Sequence, residues 1–278
     1  MTRLRPSVLA PIVAAASAAC LTGTPAAGAE LQPRTVAAFD RYVQTTETQQ
    51  RAWSSFLWMD SQPAARARAF RQSLLRGGLL IERIATRDRG REIEIPDGLV
   101  HHWMGTVFVP GATLDQALTL LQDYDHHATI YSPAVAQSRL LSRDGDNFRM
   151  FLRFSMTKII TVVVNTEHDA RFLREGPDRA VSRVATTRVA QVEDAGRPTE
   201  RELPVGRDGG YLWRLNTYWR FLEQDGGTYV QCESVSLTRG IPFGFGWMIR
   251  PFVTSIPRES LEFTLNTTRR VLAPPAIR

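Results

Sequence analysis

Tyr211-Leu212-Trp213-Arg214-Leu215-Asn216-Thr217-Tyr218-Trp219-Arg220-Phe221, then Asp225-Gly226-Gly227, then Thr228-Tyr229-Val230-Gln231-Cys232, is the stretch that decides how this chain folds. Both arms are rich in β-branched and aromatic residues, and Asp-Gly-Gly supplies the positive backbone angles of a tight hairpin. The spacing predicts a long hairpin in which Gly209 to Leu222 pairs with Thr228 to Thr238. Strand alternation puts Tyr211, Trp213, Leu215, Thr217, Trp219 and Phe221 on one face, and Leu212, Arg214, Asn216, Tyr218 and Arg220 on the other. An arginine turned into an apolar interior would need a carboxylate or an anionic ligand, so Arg214 and Arg220 are expected to face outward.

Upstream, more strands follow one another quickly. Val135 to Ser142 leads through Asp144-Gly145-Asp146 into Phe148 to Met156, and then come Ile159 to Ala170 and Ala180 to Val192. Before them, Leu99 to Val109 is a long β-rich run ended by Pro110-Gly111. Thr113 then caps a helix with Leu114, Leu118 and Leu121 along one side. Downstream, Trp247 to Ile256 is apolar but interrupted by Pro251, and Pro257 starts a better helix. Its acids come early (Glu259, Glu262) and its arginines late (Arg269, Arg270), as the helix dipole prefers. Leu261, Leu265, Thr268 and Leu272 share one face. One strand, one helix, a run of strands and a long closing helix make an α+β layout, not a doubly wound parallel sheet.

The N-terminus reads differently. Arg3 and Arg5 precede an apolar stretch from Val8 to about Leu21, and Ala27-Gly28-Ala29 offers small residues for cleavage. Residues 1–29 are therefore expected to be a signal peptide, with the mature chain starting at Glu30 and exported to the periplasm or outside. A competing reading makes Cys20 a lipoprotein attachment site, although Ser17 stands where such sites usually carry a larger aliphatic residue. Residues 30–98 read as a mainly helical extension. Val36, Phe39 and Val43 share one helical face, and so do Ala67, Phe70 and Leu74 before Gly77-Gly78. Short strands are expected at Leu79 to Thr86 and Glu92 to Ile95, and Pro96-Asp97-Gly98 marks the boundary to the main domain, 99–273.

Composition narrows the function classes. Apolar residues make up 43% and charged residues 22%, ordinary for a globular chain. The net charge is +6, of which Arg3 and Arg5 contribute two, and Lys158 is the only lysine. Basic residues interleave with acids, as in Arg87-Asp88-Arg89, which is a solvated surface and not a nucleic-acid footprint. Transient contact with anionic membrane surfaces is compatible with this charge. No transmembrane segment is expected in the mature chain. With Cys20 removed, Cys232 is left alone and reads as a small buried strand residue.

At the level of element order the chain resembles the START-like or SRPBCC superfamily, the helix-grip fold that includes lipid-transfer domains and polyketide cyclase-like proteins. The likeness is carried by Trp103-Met104-Gly105-Thr106-Val107, by the helix Leu114 to Leu121, by the hairpin quoted above, and by Ile256-Pro257-Arg258-Glu259-Ser260-Leu261. It implies a curved antiparallel sheet gripping a long C-terminal helix, with a cavity between them for a lipid, sterol-like or polyketide-like molecule. In such a fold the expected wall includes Trp103 from the opening strand, Tyr131, and Met150, Leu152 and Phe154 from one alternating face. Trp213, Leu215 and Trp219 would join from the hairpin, and Trp247, Phe252, Leu261 and Leu265 from the closing segment.

Chemistry-bearing residues are sparse. His101 and His102 are strand neighbours pointing to opposite faces, so they cannot chelate one metal. Asp123, Asp125, His126 and His127 with His168 lack the spacing of known metal motifs, and no metal site is expected. Asp123 and His126 are the better candidates for a proton-transfer pair. No nucleophile elbow, phosphate loop or dinucleotide fingerprint occurs, and no cofactor is expected. Gly240 to Gly246 reads as a gate over the cavity or an ordinary loop. Three functions stay open: a non-enzymatic binding or transfer protein for a hydrophobic ligand, a cyclase- or hydrolase-type enzyme using His102, Asp123, His126 or Tyr131, and an interaction module whose core is filled. Convergence of those four side chains on one cavity wall would select the enzyme.

Overall fold

The computed structural model describes residues 29–157, 160–240 and 246–273, with side chains of the last segment from residue 255 onward. Residues 1–28 of the expected signal peptide (Cys20 among them), Lys158 and the middle of the glycine-rich loop lie outside the described residues. So do the side chains of Trp247 and Phe252. Ala29 is described and pairs with Asp208.

Two helices lead, α1 (Pro33–Arg51) and α2 (Ala64–Leu75), followed by β1 (Leu79–Arg83) and β2 (Gly98–Pro110). Then come α3 (Leu114–Gln122) and the single turn α4 (His127–Ile130). Six strands follow: β3 (Val135–Asp144), β4 (Asn147–Thr157), β5 (Thr161–Arg174), β6 (Arg179–Glu193), β7 (Arg214–Gln224) and β8 (Gly227–Arg239). The long helix α5 (Gly246–Leu272) closes the chain. The strands form one antiparallel sheet in the order β1-β2-β8-β7-β6-β5-β4-β3, which does not close into a barrel. This is the helix-grip arrangement: a large antiparallel sheet with a C-terminal helix on one face and N-terminal helices on the other.

Local signals act where they stand. Thr113 and Gln116 form a reciprocal capping box at the start of α3. Gly77, at φ +83°, ends α2 in the left-handed conformation that glycine adopts without a Cβ penalty.

The two faces of the sheet are packed by different elements. On the outer face, Phe39, Tyr42 and Val43 of α1 pack against Tyr218, Val235 and Leu237. Leu57, Met59 and Leu74 cover Phe108, Leu222 and Tyr229 on the same side. On the inner face, Leu261 and Leu265 of α5 pack with Val107, Val230 and Cys232. The crossing is tight at Gly105. A Cβ there would overlap Leu265 Cδ1 and stand 2.9 Å from Ile81 Cδ1, so a side chain at residue 105 would force these two side-chain ends to shift.

Three features depart from the sequence expectations. First, β1 belongs to the main sheet, pairing with β2 from Leu79↔Val107 to Arg83↔Trp103. The expected boundary at Pro96-Asp97-Gly98 is a connection between adjacent strands of one sheet. Second, α5 runs unbroken through Pro251 and Pro257. Each proline removes one helical hydrogen bond, and burial of the Leu261 and Leu265 side offsets that loss. Third, β7 begins at Arg214, not Gly209. Gly210 sits at φ +68°, the chain turns there, and the alternation read through Tyr211 to Phe221 is broken at Trp213.

Candidate ligand-binding site

Beyond the crossing at Gly105, α5 and the sheet enclose a cavity of about 600 Å³. Pockets that hold drug-sized ligands measure roughly 300–1,000 Å³. Alternation on β4 turns Met150, Leu152, Phe154 and Met156 into it. Ile256, Pro257 and Leu261 of α5 form the roof, and Leu121, Tyr124, His127 and Tyr131 close the end under α3 and α4. The opposite end reaches solvent, where the lining residues Ile160 and Tyr211 are exposed. Arg239 stands at this mouth.

The β8 wall is different in kind. Cys232, Ser234, Ser236 and Thr238 face the cavity in succession, and Thr217 of β7 pairs with Ser234 in the sheet register. Thr238 Oγ1 lies 3.1 Å from His101 Nε2. Thr217, Ser234 and Ser236 have no hydrogen-bond partner for their hydroxyls among the described residues.

Among the described lining residues, Arg239 is the only side chain charged at neutral pH. Burial holds His127 and His168 down to about 4, so both are neutral. His168 Nε2 is 2.8 Å from Thr166 Oγ1, whereas His127 Nε2 is buried in the wall without a partner. Burial also pushes the Cys232 thiol well up, which leaves it unreactive. Tyr131 is raised to about 12, chiefly by burial. Thr268 gives its hydroxyl hydrogen to the Thr264 carbonyl at 2.9 Å, so Tyr131 donates to Thr268 Oγ1 at 3.0 Å.

The expected site residues divide accordingly. Tyr131, Met150, Leu152, Phe154, Leu215, Trp219 and Leu261 line the cavity. Trp103 and Leu265 instead pack into the adjoining core, Leu265 against Gly105. Trp213 is a correction. It lies on the outer side with Phe39, Tyr42 and Leu237, and its indole Nε1 donates to Asp208 Oδ1 at 3.2 Å, because it stands before the strand, which begins only at Arg214, and alternation does not extend to it. Of the four acid–base candidates only Tyr131 reaches the cavity. Asp123 and His126 form a 2.7 Å pair on the solvent side of α3, and hydrogen bonding to Asp123 and its charge raise His126. His102 points to the outer face. The four do not converge on one wall, so the condition for the enzyme reading built on them is not met.

His102 is part of a different construction. Its Nε2 is 2.6 Å from Glu233 Oε1, and Gln50 Nε2 donates to Glu233 Oε2 at 2.7 Å. Tyr42 Oη is 3.0 Å from His102 Nδ1 and accepts from the Thr86 amide at 2.9 Å. This buried cluster ties α1 to β2 and β8. Arg220 also faces the extension, donating to the Phe56 carbonyl with its guanidinium 4.7 Å from the Trp53 ring. Among the described residues no group of three or more histidine, cysteine or carboxylate side chains is placed to hold a metal. No described helix is long and apolar enough to cross a membrane.

His127, His168, Thr217, Ser234 and Ser236 are wall residues that the sequence reading did not assign to the cavity. The signal for the serines was present: they continue the Cys232 parity along one strand.

No protein-family model and no curated protein matches the sequence. Among solved structures, the chain is similar to the STAR-related lipid transfer protein of Xanthomonas axonopodis, at 18% identity over 64% of this chain and 95% of that one, with a TM-score of 0.44. It is also similar to the Zhui aromatase/cyclase of a Streptomyces species (15%, 63% and 94%, TM-score 0.43) and to human STARD10 (9%, 74% and 80%, TM-score 0.44). At these identities and scores the likeness concerns the arrangement of elements and nothing finer.

Proposed function

We propose that this chain is an exported protein that binds a hydrophobic small molecule or lipid between sheet and α5 and carries or presents it unchanged. One observation carries the reading: a cavity of about 600 Å³, walled mainly by apolar side chains, whose one described charge is Arg239 at the mouth. A ligand that hides roughly 400 Å² of apolar surface there gains about 10 kcal/mol, enough to outweigh much of the association cost. The open volume weighs against a filled-core interaction module. A cyclase- or hydrolase-type activity would have to use acid–base groups on the described wall such as His127, His168 or Tyr131, of which Tyr131 has its proton engaged with Thr268.

Export rests on the charged, apolar and small-residue pattern of residues 1–29. Brief contact of the mouth with an anionic membrane during exchange is part of the same proposal, since Arg239 lies beside exposed Ile160 and Tyr211.

The test is mass spectrometry of an organic extract from protein expressed with its own N-terminus and purified without detergent. Near-stoichiometric co-purifying lipid or another apolar compound, on a chain beginning at Glu30, is the expected result. An empty extract, with no apolar compound bound when offered, would overturn it.

A further inference from the structure

The cavity is not uniformly apolar, and its asymmetry is ordered. One wall, β4, presents methionine, leucine and phenylalanine. Farther along the same inner face of the sheet, β7 and β8 present, beside Leu215 and Trp219, Thr217, Ser234 and Ser236, three hydroxyls that no described residue satisfies. Ser234 and Ser236 are two residues apart on one strand, hence roughly 7 Å apart, and Thr217 pairs directly with Ser234 on the next strand. They lie on two interior strands of the sheet, yet Thr217 and Ser234 are only half-buried, because they face the hollow.

We propose that Thr217, Ser234 and Ser236 determine specificity, selecting an uncharged ligand that is apolar on one side and carries hydroxyl or carbonyl oxygens along the opposite edge. This rests on the hydrophobic-ligand reading above and narrows it. A plain alkyl chain on this wall would displace water from the three hydroxyls and return no hydrogen bonds, and each group so stranded weakens binding. A carboxylate or phosphate inside the cavity would meet no cation, since the only described one is at the mouth. An oxygenated edge satisfies the hydroxyls, which can donate or accept as the ligand requires. Its other side meets Met150, Leu152 and Phe154.

The experiment is calorimetric titration of the mature chain with three probes. These are a dihydroxyanthraquinone whose hydroxyls flank one carbonyl, anthracene as its oxygen-free counterpart, and palmitate. The same set is run on the triple variant Thr217→Val, Ser234→Ala, Ser236→Ala, with thermal melting to show that the variant is folded. The expected result is that the wild-type chain prefers the dihydroxyanthraquinone to anthracene by at least about tenfold, with palmitate weaker, and that the variant loses this preference while still binding anthracene. Equal binding of the two ring probes by wild type, or an unchanged preference in the variant, overturns the role of the hydroxyls and leaves the hydrophobic-ligand reading standing. Tightest binding of palmitate overturns the uncharged class. Failure of all three probes to bind would remove the hydrophobic-ligand reading itself and this proposal with it. Should the triple variant not fold, Ser234→Ala and Ser236→Ala are read singly against the same pair of ring probes.

Discussion

Strand β8 has two polar faces, and they are treated in opposite ways. Outward, Gln231 accepts the Trp58 amide at 2.9 Å, and Glu233 is held by His102 and Gln50, so these two polar side chains of β8 have protein partners under the N-terminal helices. Inward, Ser234 and Ser236 have none among the described residues, and the space in front of them is open. Alternate residues of one strand thus join a locked interface and an unfilled cavity. The difference separates polar groups that hold the fold from polar groups left free for something else. Substitutions on the two sides should therefore have unequal consequences.

The largest effect is expected from breaking the outer cluster. His102→Ala leaves Glu233 buried without its histidine partner, and urea denaturation should show a loss of about 3–5 kcal/mol. A loss below about 1 kcal/mol would mean that water or Gln50 alone satisfies the carboxylate. Next comes the close crossing on the inner face. Gly105→Val inserts atoms where Leu265 and Ile81 already stand, and should cost about 1–3 kcal/mol in the same assay while displacing α5.

A pH series examines the inner face, where His127 and His168 line the cavity and His101 lies beside Thr238. His101, His127 and His168 are held down to about 4 in the folded chain, principally by burial, against 6.5 unfolded. Between these values the unfolded chain binds more protons, so stability is fully present above about pH 6.5 and falls as pH drops toward 4. Each histidine contributes on the order of 2–3 kcal/mol to that slope. Midpoints of urea unfolding at pH 7 and pH 5 measure it. A flat profile would show that these rings reach water or a carboxylate in the folded state. The smallest effect is predicted for Ser234→Ala and Ser236→Ala, within about 0.5 kcal/mol of wild type when no ligand is present. A larger loss would mean the hydroxyls already have partners, and would erase the contrast between the faces.

Much of the fold was legible from local rules. The hairpin turn at Asp225-Gly226-Gly227, the Thr113 cap and the end of α2 at Gly77 each depend on a few neighbouring residues, and the structure has them where the spacing put them. The cavity-facing residues of β4 were legible for the same reason, since alternation within a strand survives any tertiary setting. The parity of Trp213 did not survive, because the strand begins only at Arg214 and residues before it need not alternate, and a single sequence does not reveal where a strand starts after a glycine pair. The prolines of α5 misled in the opposite direction: their local penalty is real, but packing against the sheet outweighs it. His102 and Asp123 looked like chemistry because their residue types suit it, and only their positions in space show them on different sides of the molecule.

The sequence by itself determined element type and order, the amphipathic faces and the dearth of charged residues on the cavity-facing positions of β4 and β8, because these follow from periodicity and residue chemistry over short spans. Tertiary structure alone decided which side of the sheet each helix covers, that Leu79–Arg83 joins the main sheet, and that three hydroxyls face an open space while Glu233 is enclosed. Those outcomes depend on contacts between residues distant in the chain, such as Gln50 with Glu233, and no local pattern encodes which distant partner will arrive.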